Sequence, residues 1–194
     1  MTARQRILDA AADVMATEGL ARTTTKAIAR AAGCSEALLY KNFLDKEEIF
    51  LAVLSERMPR LDLGDGLVGA GNVDQNLRSI VEQLLAFYVR TFPVAASIFS
   101  SHDLLRVHRS AMQSHGAGPQ GPVLLVQRYL DGEAELGRLA AGSDTEAAAR
   151  ALVGAALLEG FLAAYDGLTE VPDQRDRAER LVAMITPGLG LQSP

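Results

Sequence analysis

Apolar residues recur along this chain at spacings of three and four, and nowhere do several β-branched residues alternate with polar ones, so the pattern predicts helices and no strand. Ile7, Ala11, Val14 and Met15 form one such stripe, opened by a Thr2/Gln5 capping box and closed by Gly19. A short helix follows Thr24 and ends at Gly33; another, capped by Ser35, runs from Glu36 to about Asn42. Asp45 and Glu48 form a second capping box ahead of Ile49, Phe50, Val53 and Leu54, and that helix stops before Pro59. Residues 60–73 are rich in glycine and are expected to be a flexible linker between two modules. Beyond it the spacing predicts a helix from Asp74 to Phe92 halted by Pro93, stretches at about 94–114 and 122–140, a long helix from Asp144 to Asp166, and a last one from Asp173 to Ile185 before Pro187. The fold class is all-α, with about nine helices. The domains are a helix-turn-helix over 1–46, a connecting helix over 47–58 and a helical module over 74–194.

Composition supports this reading. The 194 residues are 48% hydrophobic with no tryptophan, enough to bury a core. The net charge of −5 is unevenly spread: residues 1–46 carry seven Lys/Arg against five Asp/Glu, a net +2, and the rest carry twelve against nineteen, a net −7. Any contact with nucleic acid therefore belongs at the N-terminus. Cys34 is the sole cysteine, which excludes an intrachain disulfide and fits a reducing cytoplasm; its expected role is that of a buried structural thiol rather than a redox sensor. No signal peptide is evident, and no uncharged apolar run reaches the ~18 residues of a membrane span, so a soluble cytoplasmic protein with no membrane partner is expected.

The most informative stretch is Thr24–Phe43. Two short helices joined by Ala32-Gly33-Cys34-Ser35 make a helix-turn-helix, with Ile28, Ala31, Leu39 and Phe43 expected to lock the pair and alanines at 27, 29, 31 and 32 allowing close approach. Glu36, Ala37, Tyr40 and Lys41 form the outward face of the second helix, the face that a recognition helix turns to base edges. Gly19, Thr24, Ile28-Ala29, Ala32-Gly33, Ser35, Leu39-Tyr40, Phe43, Lys46-Glu47 and Ile49-Phe50, in an ungapped run over residues 4–54, resemble the tetracycline-repressor (TetR) family of bacterial transcriptional regulators. The resemblance implies double-stranded DNA as a partner, contacted by Thr24, Thr25, Lys26, Ser35, Glu36, Ala37, Tyr40, Lys41, Asn42 and Lys46. Thr24 and Ser35 cap helices whose N–H groups can also hold phosphate. Lys46 stands in a first turn, where a cation is unfavourable, and a phosphate contact would explain it. Glu36 either accepts from a cytosine amino group or simply suits the positive end of its helix.

The rest of the chain matches that family only in layout. Residues 151–165 hold a single charge, Glu159, so this helix must be buried on several sides. With the last helix it suggests a four-helix bundle across a two-fold axis, a homodimer with Ala155, Leu158, Leu162, Leu181 and Ile185 at the interface and Gly154 and Gly160 allowing close packing. A small-molecule pocket would be lined by Phe87, Tyr88, Phe92, Phe99, Met112, Tyr129 and Phe161, with ordinary core packing as the simpler role of each. Glu159 is a pocket acid, an interface residue with a basic partner, or a charge at the interface rim.

Enzymatic readings find little footing. Gly64-x-Gly66-x-x-Gly69 imitates a dinucleotide fingerprint, but a helix rather than a strand precedes it. His108 and His115 stand two helical turns, about 10 Å, apart, too far to share an ion, so no metal or other cofactor is expected. The function expected is a ligand-responsive transcriptional regulator, a repressor, binding a near-palindromic operator as a dimer. The alternative is a helical small-molecule-binding or interaction protein without operator binding.

Overall fold

The computed structural model describes residues 1–19, 22–57, 61–64, 66–100, 102–114 and 118–191, without the side chains of Ser55, Ala111, Gln113 and Ser114. Among the described residues there are nine helices and no strand: α1 (Ala3–Glu18), α2 (Thr25–Ala31), α3 (Glu36–Asn42), α4 (Lys46–Glu56), α5 (Val73–Phe99), α6 (His102–Ser114), α7 (Gly121–Glu135), α8 (Thr145–Tyr165) and α9 (Gln174–Leu189). They form two compact units, one of residues 1–59 and 91–118, the other of residues 60–90 and 119–194. Residues 91–118, which the sequence reading assigned to the C-terminal module, thus cluster with the N-terminal helices, and α5 contributes residues to both units.

Helix boundaries follow local chemistry where caps are strong. Thr2 and Gln5 complete their box: the Gln5 amide donates to Thr2 Oγ1 at 3.2 Å and the Thr2 amide to Gln5 Oε1 at 2.9 Å. At α4 the Glu48 amide donates to Asp45 Oδ1 at 2.7 Å, but Glu48 reaches back to the amide of Leu44 rather than to that of Asp45. Gly33, Gly137 and Gly167, all at positive φ, close α2, α7 and α8 by the same device. In α7, for instance, the amides of Gly137 and Arg138 donate to Ala134 and Glu133 carbonyls at 2.9 and 3.0 Å. Gly137 therefore ends α7 at Glu135, short of the 140 expected from spacing.

Two prolines do not stop their helices. Pro93 lies inside α5, which continues to Phe99, because Val94 and Ile98 beyond it are buried in the core of the N-terminal unit. That burial outweighs one missing N–H donor. Pro187 lies inside α9, where Leu189 is buried and its carbonyl accepts from the Ala140 amide at 2.9 Å. The expected stop of α4 at Pro59 lies outside the described residues.

The glycine-rich segment before α5 is no loose linker. Leu61, Leu63 and Leu67 pack against the core of the C-terminal unit. The Gly69 amide donates to Glu133 Oε1 at 3.1 Å, and the Arg138 guanidinium donates to the Gly71 carbonyl at 2.5 Å. A Cβ on Gly132 would come within 2.7 Å of the Val68 side chain, so glycine at 132 lets the loop lie against α7. Asn76 donates to the Ala70 carbonyl at 2.8 Å and completes the clasp. The carboxylate at its centre, Glu133, is 0% exposed and faces Arg138 at 3.0 Å, in charge contact without hydrogen-bond alignment.

The C-terminal core joins Leu77, Ile80, Leu84 and Leu85 of α5 to Leu130 of α7, Leu152 and Ala156 of α8, and Val182 of α9. Gly160 lets α8 touch α5: a Cβ there would meet Tyr88 Cβ at 2.6 Å and backbone atoms at 2.9 Å. Gly154, expected to do likewise, is exposed with open space before it. By length and composition α8 could cross a membrane. It also packs on α7 and α9 and carries Glu146, Arg150 and Glu159, which suits the core helix of this unit.

Removing Arg138 should leave the Glu133 carboxylate buried without its counter-charge. Arg138→Ala is expected to lower unfolding stability by about 3–5 kcal/mol, measured by urea denaturation, and Arg138→Ala with Glu133→Gln should recover much of that loss. An unchanged midpoint in the single variant would show that the clasp contributes nothing.

Candidate nucleic-acid interface

The N-terminal unit is built so that a seven-residue helix, α3, is held by one side and presented by the other. Its buried side is Leu39 and the following Phe43, which join Ile28 and Ala29 of α2, Ile7, Leu8, Ala11 and Met15 of α1, and Ile49, Phe50 and Val53 of α4 in one core. Ala29 takes the locking place expected of Ala31, which is exposed: α2 turns its Ile28-Ala29 edge inward, and Ala31 points away from it. Between the helices the Gly33 and Cys34 amides donate to Arg30 and Ala29 carbonyls at 3.2 and 2.9 Å, a turn that requires the positive φ of Gly33. Cys34 is a thiol partly buried against this core.

Thr24 and Ser35 cap α2 and α3, accepting from the amides of Ala27 and Leu38 at 3.1 and 3.2 Å. Lys26, Glu36, Ala37, Tyr40 and Lys41 are exposed, and Thr25 and Asn42 half-buried. Three of these side chains are linked: Thr25 donates its hydroxyl to Glu36 Oε2 at 3.1 Å, and Tyr40 donates to Thr25 Oγ1 at 3.4 Å. The Asn42 side-chain amide donates to the Leu38 carbonyl at 2.8 Å, so one of its donors is engaged within α3. Lys46 lies with its ammonium 4.9 Å from the centre of the Phe50 ring, an attraction inside the fold that offsets part of the cost of a cation in that first turn.

Sequence reasoning missed three contributors. Thr23 is fully buried and donates its hydroxyl to the Gly19 carbonyl at 2.8 Å, fixing the approach to α2. Arg4 grips Glu56 with two hydrogen bonds of 2.8 and 2.7 Å while its guanidinium lies 5.2 Å from the Phe43 ring centre, which ties α1 to α4 over the end of α3. That paired hydrogen bond raises the Arg4 pKa and lowers that of Glu56. Leu44, an apolar side chain immediately after α3, is 88% exposed. The only hint of it was its place beside the Asp45 cap.

In the C-terminal unit Phe87, Tyr88, Tyr129 and Phe161 are buried or half-buried; the Phe87 and Tyr88 rings meet edge-on at 5.1 Å. Burial pushes the Tyr88 phenol up to about 12. Tyr129 is raised further, first by burial and also by the nearby Glu133 charge; its hydroxyl lies beside Asn76 and Glu133 without a well-formed hydrogen bond. Phe99 and Met112 belong to the other unit, and Phe99 is 72% exposed, so the expected lining is not brought together in one unit. Glu159 pairs with Arg177 of α9, and Arg177 also donates to the Pro172 carbonyl at 2.8 Å. Leu158, Leu162, Tyr165 and Met184 are exposed, Ala155 is half-buried, and Leu181 and Ile185 are partly covered by their own unit's core. His115 lies outside the described residues; among the described residues no three His, Cys, Asp or Glu gather as metal ligands would.

Residues 7–53 match the bacterial regulatory proteins of the tetR family. Over 60 residues the chain is 42% identical to the HTH-type transcriptional regulator SrpR of Pseudomonas putida, a stretch covering 31% of this chain and 28% of that protein. Over 52 residues it is 44% identical to YvkB of Bacillus subtilis, an uncharacterized HTH-type transcriptional regulator, covering 27% and 28%. The chain thus spans less than a third of the length of these two relatives. Across nearly the whole chain the likeness is one of fold. A Mesorhizobium loti protein assigned to the TetR-family transcriptional regulators superposes with a TM-score of 0.79 at 20% identity, over 97% of each chain. FadR from Bacillus subtilis, solved in complex with stearoyl-CoA, gives 0.69 at 16% identity, over 95% of this chain and 98% of that one. Residues 7–53 thus carry the sequence pattern of the bacterial regulatory proteins of the tetR family, and the chain as a whole shares the fold of solved proteins of that kind.

Proposed function

We propose that this protein is a ligand-responsive transcriptional repressor of the bacterial cytoplasm that binds a near-palindromic operator as a homodimer. The observation that carries the reading is α3: Leu39 is fully buried, and Tyr40 and Lys41 next to it are exposed. A helix so held offers its outward face to the major groove. On this reading Glu36 and Ala37 share that face, and Thr24, Thr25, Lys26, Ser35, Asn42 and Lys46 add contacts to the DNA around it. The alternative, a helical binding protein without an operator, leaves the exposed Tyr40-Lys41 pair without a role.

Dimerisation is supported by α8 and α9. Leu158, Leu162 and Tyr165 recur at helical spacing along α8 and are 54%, 46% and 80% exposed; Met184 of α9 is 78% exposed. Side chains of this kind in a row are covered by a partner more often than by water. Glu159, neutralised by Arg177, adds no unpaired charge beside them. Ligand response is supported by Phe87, Tyr88, Tyr129 and Phe161, an aromatic group in the same unit, and by the stearoyl-CoA held by the similarly folded FadR.

Tyr40→Ala with Lys41→Ala should abolish retardation of the protein's own upstream DNA while the helical circular-dichroism signal stays unchanged. Lys41→Ala alone should reduce the salt slope of binding by about one. Wild-type affinity in the double variant would remove α3 from the interface. Leu158→Glu and Met184→Glu alter exposed positions and spare the core, unlike changes at Leu181; each should sediment as a folded monomer, and a dimer of normal stability would place the interface elsewhere. Titration of a long-chain acyl-CoA with and without operator DNA should give affinities differing by about 5–150-fold. Equal affinities would rule that compound out as an inducer, however tightly it bound.

A further inference from the structure

We propose that Glu36 is a specificity-determining residue that selects an amino-bearing base, cytosine first, and makes the grip of Thr25 and Tyr40 on the DNA backbone conditional on that base. The inference rests on the operator-binding reading above and deepens it. It is carried by the side-chain relay that joins α2 to α3: Tyr40 donates to Thr25 at 3.4 Å, and Thr25 donates to Glu36 at 3.1 Å.

The proton count gives the relay a direction. A hydroxyl has one proton to donate, and a carboxylate has none. While Glu36 holds the Thr25 proton, Thr25 cannot donate to a phosphate, and while Tyr40 donates to Thr25 its own proton is engaged too. Turning both hydroxyls to phosphate strips Glu36 of its donor. The carboxylate must then find another or lie unpaired in a groove lined with negative charge. Glu36 is the first residue of α3 and is exposed, one turn before Tyr40, so it reaches base edges. Guanine O6 and N7 and thymine O4 offer only acceptors, which repel a carboxylate; the cytosine N4 amino group donates, and so does adenine N6, beside an N7 acceptor that disfavours it. With cytosine in place the exchange is balanced: Glu36 trades the Thr25 hydroxyl for a base amino group, and the released hydroxyls go to phosphate. The favourable charge of an acidic residue at this end of a helix does not require the relay, which is the observation that separates the two roles of Glu36.

The test is selection of bound sites from a random duplex library with the full-length protein, comparing wild type, Glu36→Ala, Glu36→Gln and Thr25→Val. Wild type should hold one position of each half-site to cytosine by roughly fivefold or more. Glu36→Ala should relax that position to all four bases and leave the others unchanged, while tightening binding to unrelated DNA. Glu36→Gln should shift the position toward adenine, whose N6 and N7 match a carboxamide. Thr25→Val should weaken binding and keep the base preference. A Glu36→Ala motif identical to wild type at every position would overturn the proposal. A wild-type protein that enriches no motif would overturn the operator reading itself, a result readily told from the first.

Discussion

A helix of seven residues does not hold its shape in water, because the cost of its first turn is recovered only over a longer run. Everything proposed for α3 therefore depends on the burial of Leu39 and Phe43, each contributing on the order of 1.5–3 kcal/mol. That burial in turn needs three other helices. Ile28 and Ala29 come from α2, Leu8 and Ala11 from α1, Ile49 and Phe50 from α4, and Arg4 bridges the outer two by gripping Glu56. The shape of α3 is thus a property of a core that several helices share, and its outward residues are accurate only as far as that core is rigid.

The same dependence explains what was legible in the sequence. Signals that act within a few residues of themselves were readable: the Thr2/Gln5 box, the Thr24, Ser35 and Asp144 caps, and Gly33 at the turn lie where local hydrogen bonding alone puts them. So was the outward face of α3, since 3.6-residue periodicity divides a short helix into sides once its buried residues are known. What escaped notice was decided by partners distant in sequence. Pro93 and Pro187 read as stops because a missing donor is local, whereas the burial of Ile98 and Leu189 that carries each helix onward is not. The glycine segment read as a loose linker because its partners, Glu133 and Arg138, stand more than sixty residues away. Ala31 was placed inside for want of any local sign to tell it from Ala29.

Lys46 carries a second interaction that its position in the helix did not disclose. A cation in a first turn is unfavourable for the helix dipole, and from sequence the natural remedy is an external anion. The Phe50 ring one turn along adds an attraction inside the protein, through the negative face of a neutral ring. Asn42 is similar: its side chain is turned back onto Leu38. Both residues belong to the proposed interface and have one interaction already satisfied inside the protein, so each contact with DNA would be an exchange rather than a gain. The Thr25–Glu36 bond belongs to the same pattern.

Exchange of this kind limits what one reading head can achieve. Residues 1–46 carry a net charge of only +2, and of their seven cations Arg4 is paired with Glu56 and Lys46 lies against Phe50. Affinity for duplex DNA rises with the number of phosphates neutralised, because each releases condensed counterions. A single head of this composition neutralises few, while the −7 of the remaining residues opposes approach from any other side. Two heads fixed on one duplex double the number of contacts and convert the second binding step into an intramolecular one. The apolar row on α8 and α9 would then belong to the DNA-binding apparatus as much as Tyr40 does. On the proposed reading, a weakly charged head would make specific binding conditional on dimerisation and would keep the isolated protomer from occupying DNA at random.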